Sequence, residues 1–152
     1  MPEEKFLGQG MKFPPQINAA TGRFVMVSEE ESVRQSIYLI LSTQVSERPM
    51  RPMYGSNLMN YTFLDINPMN LNMVSREVRD QILNQEPRVS DVEIGYDGTR
   101  QDGVLLFDIQ YTIRRTNARD NFVFPFYLGG TSVLEEGEEQ VYEPQTLEEI
   151  EY

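Results

Sequence analysis

The sequence predicts an α+β fold in which an antiparallel β-meander packs against two main helices. Two segments repeat apolar residues at helical spacing, and three later segments alternate apolar with polar residues between short turns. A chain of 152 residues with 39% hydrophobic content suits one folded core. We expect an extended N-terminal arm over residues 1–22, one domain over 23–129 and an acidic extension over 130–152.

The first helix is predicted to follow a short strand over residues 23–27 and to begin near Ser28. Ser28 and Glu31 have the spacing of a capping box, and the acidic first turn suits the positive end of the helix dipole. Its predicted buried stripe recurs at i, i+4, i+7 and i+8 and consists of Val33, Ile37, Ile40 and Leu41.

A loop and a second helix are predicted next. Two prolines and a glycine make residues 46–56 a loop. The second helix is predicted to begin at Asn67 and Pro68, where the missing proline N–H costs nothing, and to end before Pro87. Its predicted buried stripe consists of Leu71, Val74, Val78 and Ile82.

The clearest β pattern follows the second helix. Three predicted strands carry alternating apolar residues, which are Val92, Ile94 and Tyr96, then Leu105, Phe107, Ile109, Tyr111 and Ile113, and finally Phe122, Phe124, Phe126 and Leu128. Short turns over residues 97–103 and 117–120 join them into a meander. Pro125 cannot donate to a strand ladder, which favours an edge position for the third strand.

Composition excludes several functions. The chain has no His and no Cys, which removes imidazole and thiol catalysis, disulfides and iron–sulfur sites. A net charge of −11 disfavours nucleic-acid binding, and residues 133–152 alone hold eight Glu and no Lys or Arg. The longest apolar run, residues 122–128, is far shorter than the roughly 20 residues of a membrane span. We expect no nucleic-acid partner and no membrane contact.

The corner between the second helix and the meander is a candidate partner-binding site. Pro87 fixes the backbone there, so Glu86 and Arg88 are expected to project at a set angle, and Arg88 can pair with a partner carboxylate. A helix stop with two solvated charges is the open alternative.

The proline-rich loop is the second candidate. It holds four residues that we predict to bind a partner, namely Glu47, Arg48, Arg51 and Tyr54, beside Met50 and Met53. Arg, Met and Tyr are enriched at protein interfaces. A loop that covers the core and pairs its charges locally is the alternative.

We predict no catalytic residue, no metal site and no cofactor. A glycosidase pair would have to come from acids such as Glu47, Asp65, Glu86 or Asp97, and no spacing singles out two at a set separation. Residues 97–103 resemble a calcium loop only in composition, since the terminal Glu is missing and the flanking strands favour a hairpin.

Four motifs stand in a fixed order, namely Phe13-Pro14, Gln35-Ser36-Ile37 with Ile40-Leu41, Glu47-Arg48 through Met50-Arg51-Pro52 to Tyr54-Gly55-Ser56-Asn57-Leu58, and Glu86-Pro87-Arg88-Val89. Together they resemble the baseplate wedge proteins of contractile phage tails, the GPW-type family, which has relatives in type VI secretion baseplates and contractile injection particles. The resemblance makes residues 23–129 a baseplate wedge domain. The family usually has Gly where this chain has Ser46, and the acidic extension lies outside the common pattern.

The resemblance implies a structural, non-enzymatic baseplate subunit of a virion or injection particle, assembled in the bacterial cytoplasm in several copies around a six-fold axis. It implies binding to the core-bundle proteins of the wedge, with the corner at residues 86–88 as a docking contact. It also implies a sheet that bridges the wedge to the first ring of the tail sheath protein and templates sheath assembly. Some relatives carry a lysozyme-like label. Two other functions stay open, an adaptor or anti-adaptor of the same fold and a carboxylate-dependent glycosidase.

The Glu-rich extension over residues 130–152 is expected to be disordered in isolation, because its charges oppose a core of its own. We expect a basic or strand-accepting surface of a neighbour to hold it. A merely solubilising tail is the alternative.

Overall fold

A computed structural model describes residues 8–97 and 103–128. In chain order its elements are β1 (Gln9–Met11), β2 (Met26–Ser28), α1 (Glu29–Ser42), a 3-10 helix (Leu58–Tyr61), α2 (Pro68–Gln85), β3 (Val89–Asp97), β4 (Val104–Ile113) and β5 (Arg119–Tyr127). The predictions for the acidic extension over 130–152, and for most of the turn over 97–103, lie outside the described residues.

α1 forms where the apolar stripe predicts it. The stripe is confirmed, because Val33, Ile37, Ile40 and Leu41 are its buried residues. The capping box is wrong in its main contact: Ser28 is the N-cap residue, but its side chain makes no capping hydrogen bond. Glu29 adopts a φ of 57°, so the first turn departs from the geometry that brings a cap oxygen to the third amide.

α2 is confirmed from end to end. Oδ1 of Asn67 accepts a hydrogen bond from the Asn70 N–H at 2.8 Å, and Pro68 occupies the first turn. The helix ends where the N–H of Glu86 donates to the carbonyl of Ile82 at 2.9 Å. The predicted stripe Leu71, Val74, Val78 and Ile82 is buried.

The three last strands form an antiparallel sheet in the order β3-β4-β5, which confirms the meander and the α+β class. Ile94, Ile109 and Phe122 stand in register across it. One apolar face of the sheet, the buried stripe of α2 and three stripe residues of α1, Val33, Ile37 and Leu41, share a single core. β5 is an edge strand, as Pro125 predicts, and Pro125 lies opposite Leu106.

The N-terminal arm contains structure that the sequence did not reveal. β1 pairs antiparallel with β2, with Met11 opposite Met26. The strand predicted over 23–27 therefore begins later, at Met26. The ribbon joins α1 through its Phe13 N–H, which donates to Oε1 of Gln35 at 3.1 Å. The three domain boundaries stay a prediction.

Candidate functional site

The corner at Glu86, Pro87 and Arg88 is folded inward. Glu86 is 2% exposed. Arg88 forms a bidentate ion pair with Glu86, with Nε 2.7 Å from Oε1 and Nη2 2.8 Å from Oε2. The expected projection of Glu86 is wrong, because side chains two residues apart on an extended backbone lie on one side and here pair with each other.

The corner is also tied to α1. Nη1 of Arg88 donates to the hydroxyl of Ser32 at 3.1 Å, and Ser36 hydrogen-bonds Glu86. Burial raises the pKa of Glu86, but the hydrogen bonds from Arg88 and Ser36 and the charge of Arg88 outweigh it, so the pKa lies below its ordinary value. Glu86 is therefore a carboxylate at neutral pH, held within its own chain.

The proline-rich loop has a rigid base. The side-chain amide of Gln85 pairs with both backbone groups of Gly55, each at 2.8 Å. The hydroxyl of Ser56 donates to the carbonyl of Leu41 at 3.0 Å. α1 and α2 thus fix the returning end of the loop, and its tip is presented from a defined position.

The tip of the loop divides into paired and open residues. Glu47 accepts the Gln44 N–H at 2.9 Å, and the guanidinium of Arg48 lies 5.0 Å from the Tyr54 ring centroid. Burial raises the pKa of Tyr54, against the charge of Arg48, which lowers it. Glu47 and Arg48 are exposed despite these contacts, as Arg51 is, and Met50 and Met53 are 94% and 81% exposed. Glu47, Arg48 and Tyr54 thus have contacts within their own chain. Met50, Met53 and Arg51 form an exposed tip that is mainly apolar.

The corner and the loop form one region. Gln85, which anchors the loop, directly precedes Glu86 at the end of α2. The charge of Glu86 also acts on Tyr54 and raises the pKa of that phenol. The structure therefore brings the two predicted segments together, with the corner inside and the loop tip outside. The partner-binding role of both stays a proposal.

The apolar tip continues along the chain in a way that the sequence analysis missed. We call the exposed large apolar side chains between residues 50 and 73 the methionine surface, and they are Met50, Met53, Met59, Phe63, Ile66, Met69 and Met73. Tyr61 and Asn57 fasten the intervening 3-10 helix to α2 by hydrogen bonds to Glu77. The hydrogen bond from Tyr61 to Glu77, together with burial and the charge of Glu77, raises the pKa of Tyr61 to about 12. The sequence feature that could have revealed this surface is the repeated methionine between residues 50 and 73, because methionine is common at adaptable binding surfaces.

The outer edge of β5 is a second surface. The Leu128 N–H donates to the Gly103 carbonyl at 2.7 Å, and the Ile113 N–H to the Ala118 carbonyl at 2.9 Å. Hydrogen-bonded pairs alternate along an antiparallel ladder, so the odd-numbered residues of β5 direct their backbone groups away from β4. Those groups, at Val123 for example, have no partner strand in the part of the chain that the structure describes.

The described residues offer neither a metal-binding cluster nor a suitable general acid at Glu86. No group of three or more potential metal ligands occurs among them. Of the acids considered for glycoside hydrolysis, Glu86 is committed to Arg88, and its lowered pKa is the opposite of what a general acid needs. No helix within residues 8–97 and 103–128 combines the length and apolar character that crossing a membrane requires.

The sequence profile of the family described as baseplate wedge protein gp25 matches residues 27–118. This chain belongs to that family. The match includes α1, α2, β3 and β4 together with the loop and the corner, and it ends one residue before β5.

Individual relatives agree with the family match. Baseplate wedge protein gp25 of Enterobacteria phage T4 is 24% identical over 82 residues, which are 54% of this chain and 62% of that protein, so less than two thirds of its length is matched. A crystal structure of a candidate tail lysozyme from Geobacter sulfurreducens is 36% identical, with a TM-score of 0.66 over 72% of this chain and all of that one. A chain of the anti-feeding prophage baseplate, at 24% identity, shares the fold, with a TM-score of 0.55 over 83% of this chain and 90% of its own.

Proposed function

We propose that this wedge-family protein is a structural baseplate subunit that joins the wedge to the first ring of the tail sheath. The outer edge of β5 is the observation that carries the proposal. Its odd-numbered residues direct backbone donors and acceptors toward a strand from another chain, except that the Asn121 N–H already donates to the Asp120 carboxylate. Pro125 removes one donor from this edge, which limits pairing to the two segments on either side. A sheath strand that adds here would be templated by the sheet.

The methionine surface and the loop are the proposed contact with the core-bundle proteins of the wedge. Arg51, Met50 and Met53 are exposed, and they belong to the residue types that concentrate at interfaces. Glu47, Arg48 and Tyr54 shape the tip by pairing with neighbours in their own chain. Glu86, Pro87 and Arg88 act from within, since their buried ion pair holds the end of α2 and the loop against α1.

The proposed setting is a virion or an injection particle, assembled in the bacterial cytoplasm with several copies of the chain around a six-fold axis. The anti-feeding prophage baseplate that shares the fold was reconstructed with six-fold symmetry. The role is structural and needs no cofactor. Glycoside hydrolysis remains a competitor because one relative is described as a candidate tail lysozyme, and zymography on peptidoglycan with the intact chain separates the two functions.

A proline at position 123 tests the proposal. The Val123 N–H points outward, so Val123→Pro removes a donor from the open edge and leaves the β4–β5 hydrogen bonds in place. Sheath polymerisation on reconstituted baseplates should fail with Val123→Pro and persist with the matched control Val123→Ala. Circular dichroism checks that both variants are folded. Normal polymerisation on folded Val123→Pro baseplates contradicts the proposal, whereas an adaptor of the same fold would show no dependence on this edge.

A further inference from the structure

The outer edge of β3 is a second open edge with a different character. Odd-numbered residues of β4 bond to β5, so the even-numbered ones face β3 and pair with Asp91, Glu93, Gly95 and Asp97. The Arg114 N–H, which donates to the Arg88 carbonyl at 2.8 Å, fits this alternation. Val92, Ile94 and Tyr96 therefore direct their N–H and C=O groups outward. No proline interrupts them, and no strand within the described ranges pairs with them.

A groove runs between this edge and α2. Its walls are β3 on one side and an exposed face of α2 on the other, and it is lined by Asn72, Ser75, Arg76, Arg79, Asp91, Val92, Glu93 and Ile94. The hydroxyl oxygen of Ser75 is buried there without a hydrogen-bond partner among the described residues. A strand edge facing a helix across a groove is the arrangement that accepts an extended peptide by strand addition.

The arginines on the α2 side of the groove favour an acidic peptide. Arg76 and Arg79 are exposed on α2 and line the groove. Asp91 and Glu93 oppose such an occupant, but strand side chains alternate between faces, and both are exposed on the face away from buried Val92. Side chains of an added strand that point toward α2 would meet the two arginines.

Composition alone suggested a neighbour's surface for the Glu-rich extension. We propose instead that its residues 134–142 occupy this groove of the same chain as a strand antiparallel to β3, which is also nine residues long. Composition matches, since residues 134–142 hold four Glu and no Lys, Arg or Pro. The apolar residues of this stretch can pack in the groove, and they are Leu134, Val141 and Tyr142.

The point where the described chain ends makes the connection short. Leu128 bonds to Gly103, directly before β4, at the end of the sheet where β3 finishes. The outer side of β3 lies three strand spacings from β5, roughly 14 Å. About five extended residues cover that distance, and the segment then runs back along β3 in the antiparallel direction. The order segment-β3-β4-β5 is that of a Greek key, in which the fourth strand returns beside the first.

A spin label locates the segment in the intact chain. The protein has no cysteine, so Tyr142→Cys provides one attachment site for a nitroxide. We expect it to broaden the NMR signals of the Val92, Ile94 and Tyr96 amides more than those of β5. The control label at Ala20→Cys, in the exposed turn of the N-terminal arm that packs on the β5 side of α1, should leave these β3 signals sharp. Broadening centred on β5, or none on either strand, overturns the proposal.

Charge reversal gives an independent readout on the unlabelled chain. In the wild type the Val92, Ile94 and Tyr96 amides should exchange slowly, and Arg76→Glu with Arg79→Glu should speed their exchange by about tenfold or more. The matched control Arg114→Glu, at the end of β4, should leave their exchange unchanged. Rapid exchange in the wild type overturns the proposal. Slow exchange that appears only at high protein concentration, with a dimer in light scattering, places the segment on a second copy and overturns the single-chain arrangement. Neither result depends on baseplate or sheath proteins, so the proposed function is tested separately.

Discussion

Replacing Arg88 by alanine tests the finding that the corner is an internal clamp. The substitution removes two short hydrogen bonds to Glu86, at 2.7 and 2.8 Å, and a third to Ser32 at 3.1 Å. It leaves the carboxylate of Glu86, whose side chain is 3% exposed, without its counter-charge. Breaking a buried ion pair from one side costs about 3–5 kcal/mol. Because the Arg88 side chain is 27% exposed, water can enter part of the vacated space, and we expect about 3 kcal/mol, the lower end.

Urea unfolding of the isolated protein measures this cost, and thermal unfolding should show a melting temperature about 6–12 °C lower. The double variant Glu86→Gln with Arg88→Ala is the control. It should be less destabilised than Arg88→Ala alone, because a neutral amide leaves no buried charge unpaired. A corner that projects into solvent would give an Arg88→Ala protein with nearly unchanged stability. That result would refute the reasoning.

Three further outcomes are expected. The pKa of Glu86 lies below its ordinary value, so the stability that Glu86 contributes is present above the unfolded pKa and is lost as the pH falls through the folded pKa. Glu86→Gln should therefore flatten the loss of stability below about pH 5 in urea titrations. Gly55→Ala, at a φ of 114° and with the added Cβ against the carbonyl oxygen of Thr43, should cost at least about 3 kcal/mol, compared with about 1–2 kcal/mol for Gly22→Ala in open space. Met50→Gln with Met53→Gln should keep the melting temperature and weaken binding to core-bundle proteins about tenfold in calorimetry.

The helices and the meander could be predicted because their periodicity reflects burial directly. Every residue of the two predicted stripes is buried, from Val33 in α1 to Ile82 in α2. The cap at Ser28 could not be judged in the same way, because the unusual φ of Glu29 depends on the ribbon that precedes it. β1 was missed for a related reason. Its three residues have no pattern of their own and form a strand only through pairing with β2.

The candidate site was predicted in part. The sequence identified the loop and the corner, and the structure places them side by side at the end of α2. Which way Glu86 faces depends on Ser32 and Ser36, fifty or more residues away in α1, and no local pattern reveals such partners. The sequence also could not predict which backbone groups lie unpaired at the open edges of the sheet. Alternation shows which side chains share a face, whereas the register decides which backbone groups of β3 and β5 face outward.

A reconstruction of the assembled baseplate with its first sheath ring would show whether this chain joins the wedge to the sheath. We expect density for this chain between the wedge core bundle and the sheath, with the methionine surface covered by core-bundle proteins. A sheath strand should pair with the outward-facing backbone of β5 next to Val123. A particle in which sheath subunits contact other elements, and β5 keeps an open edge, would contradict the account.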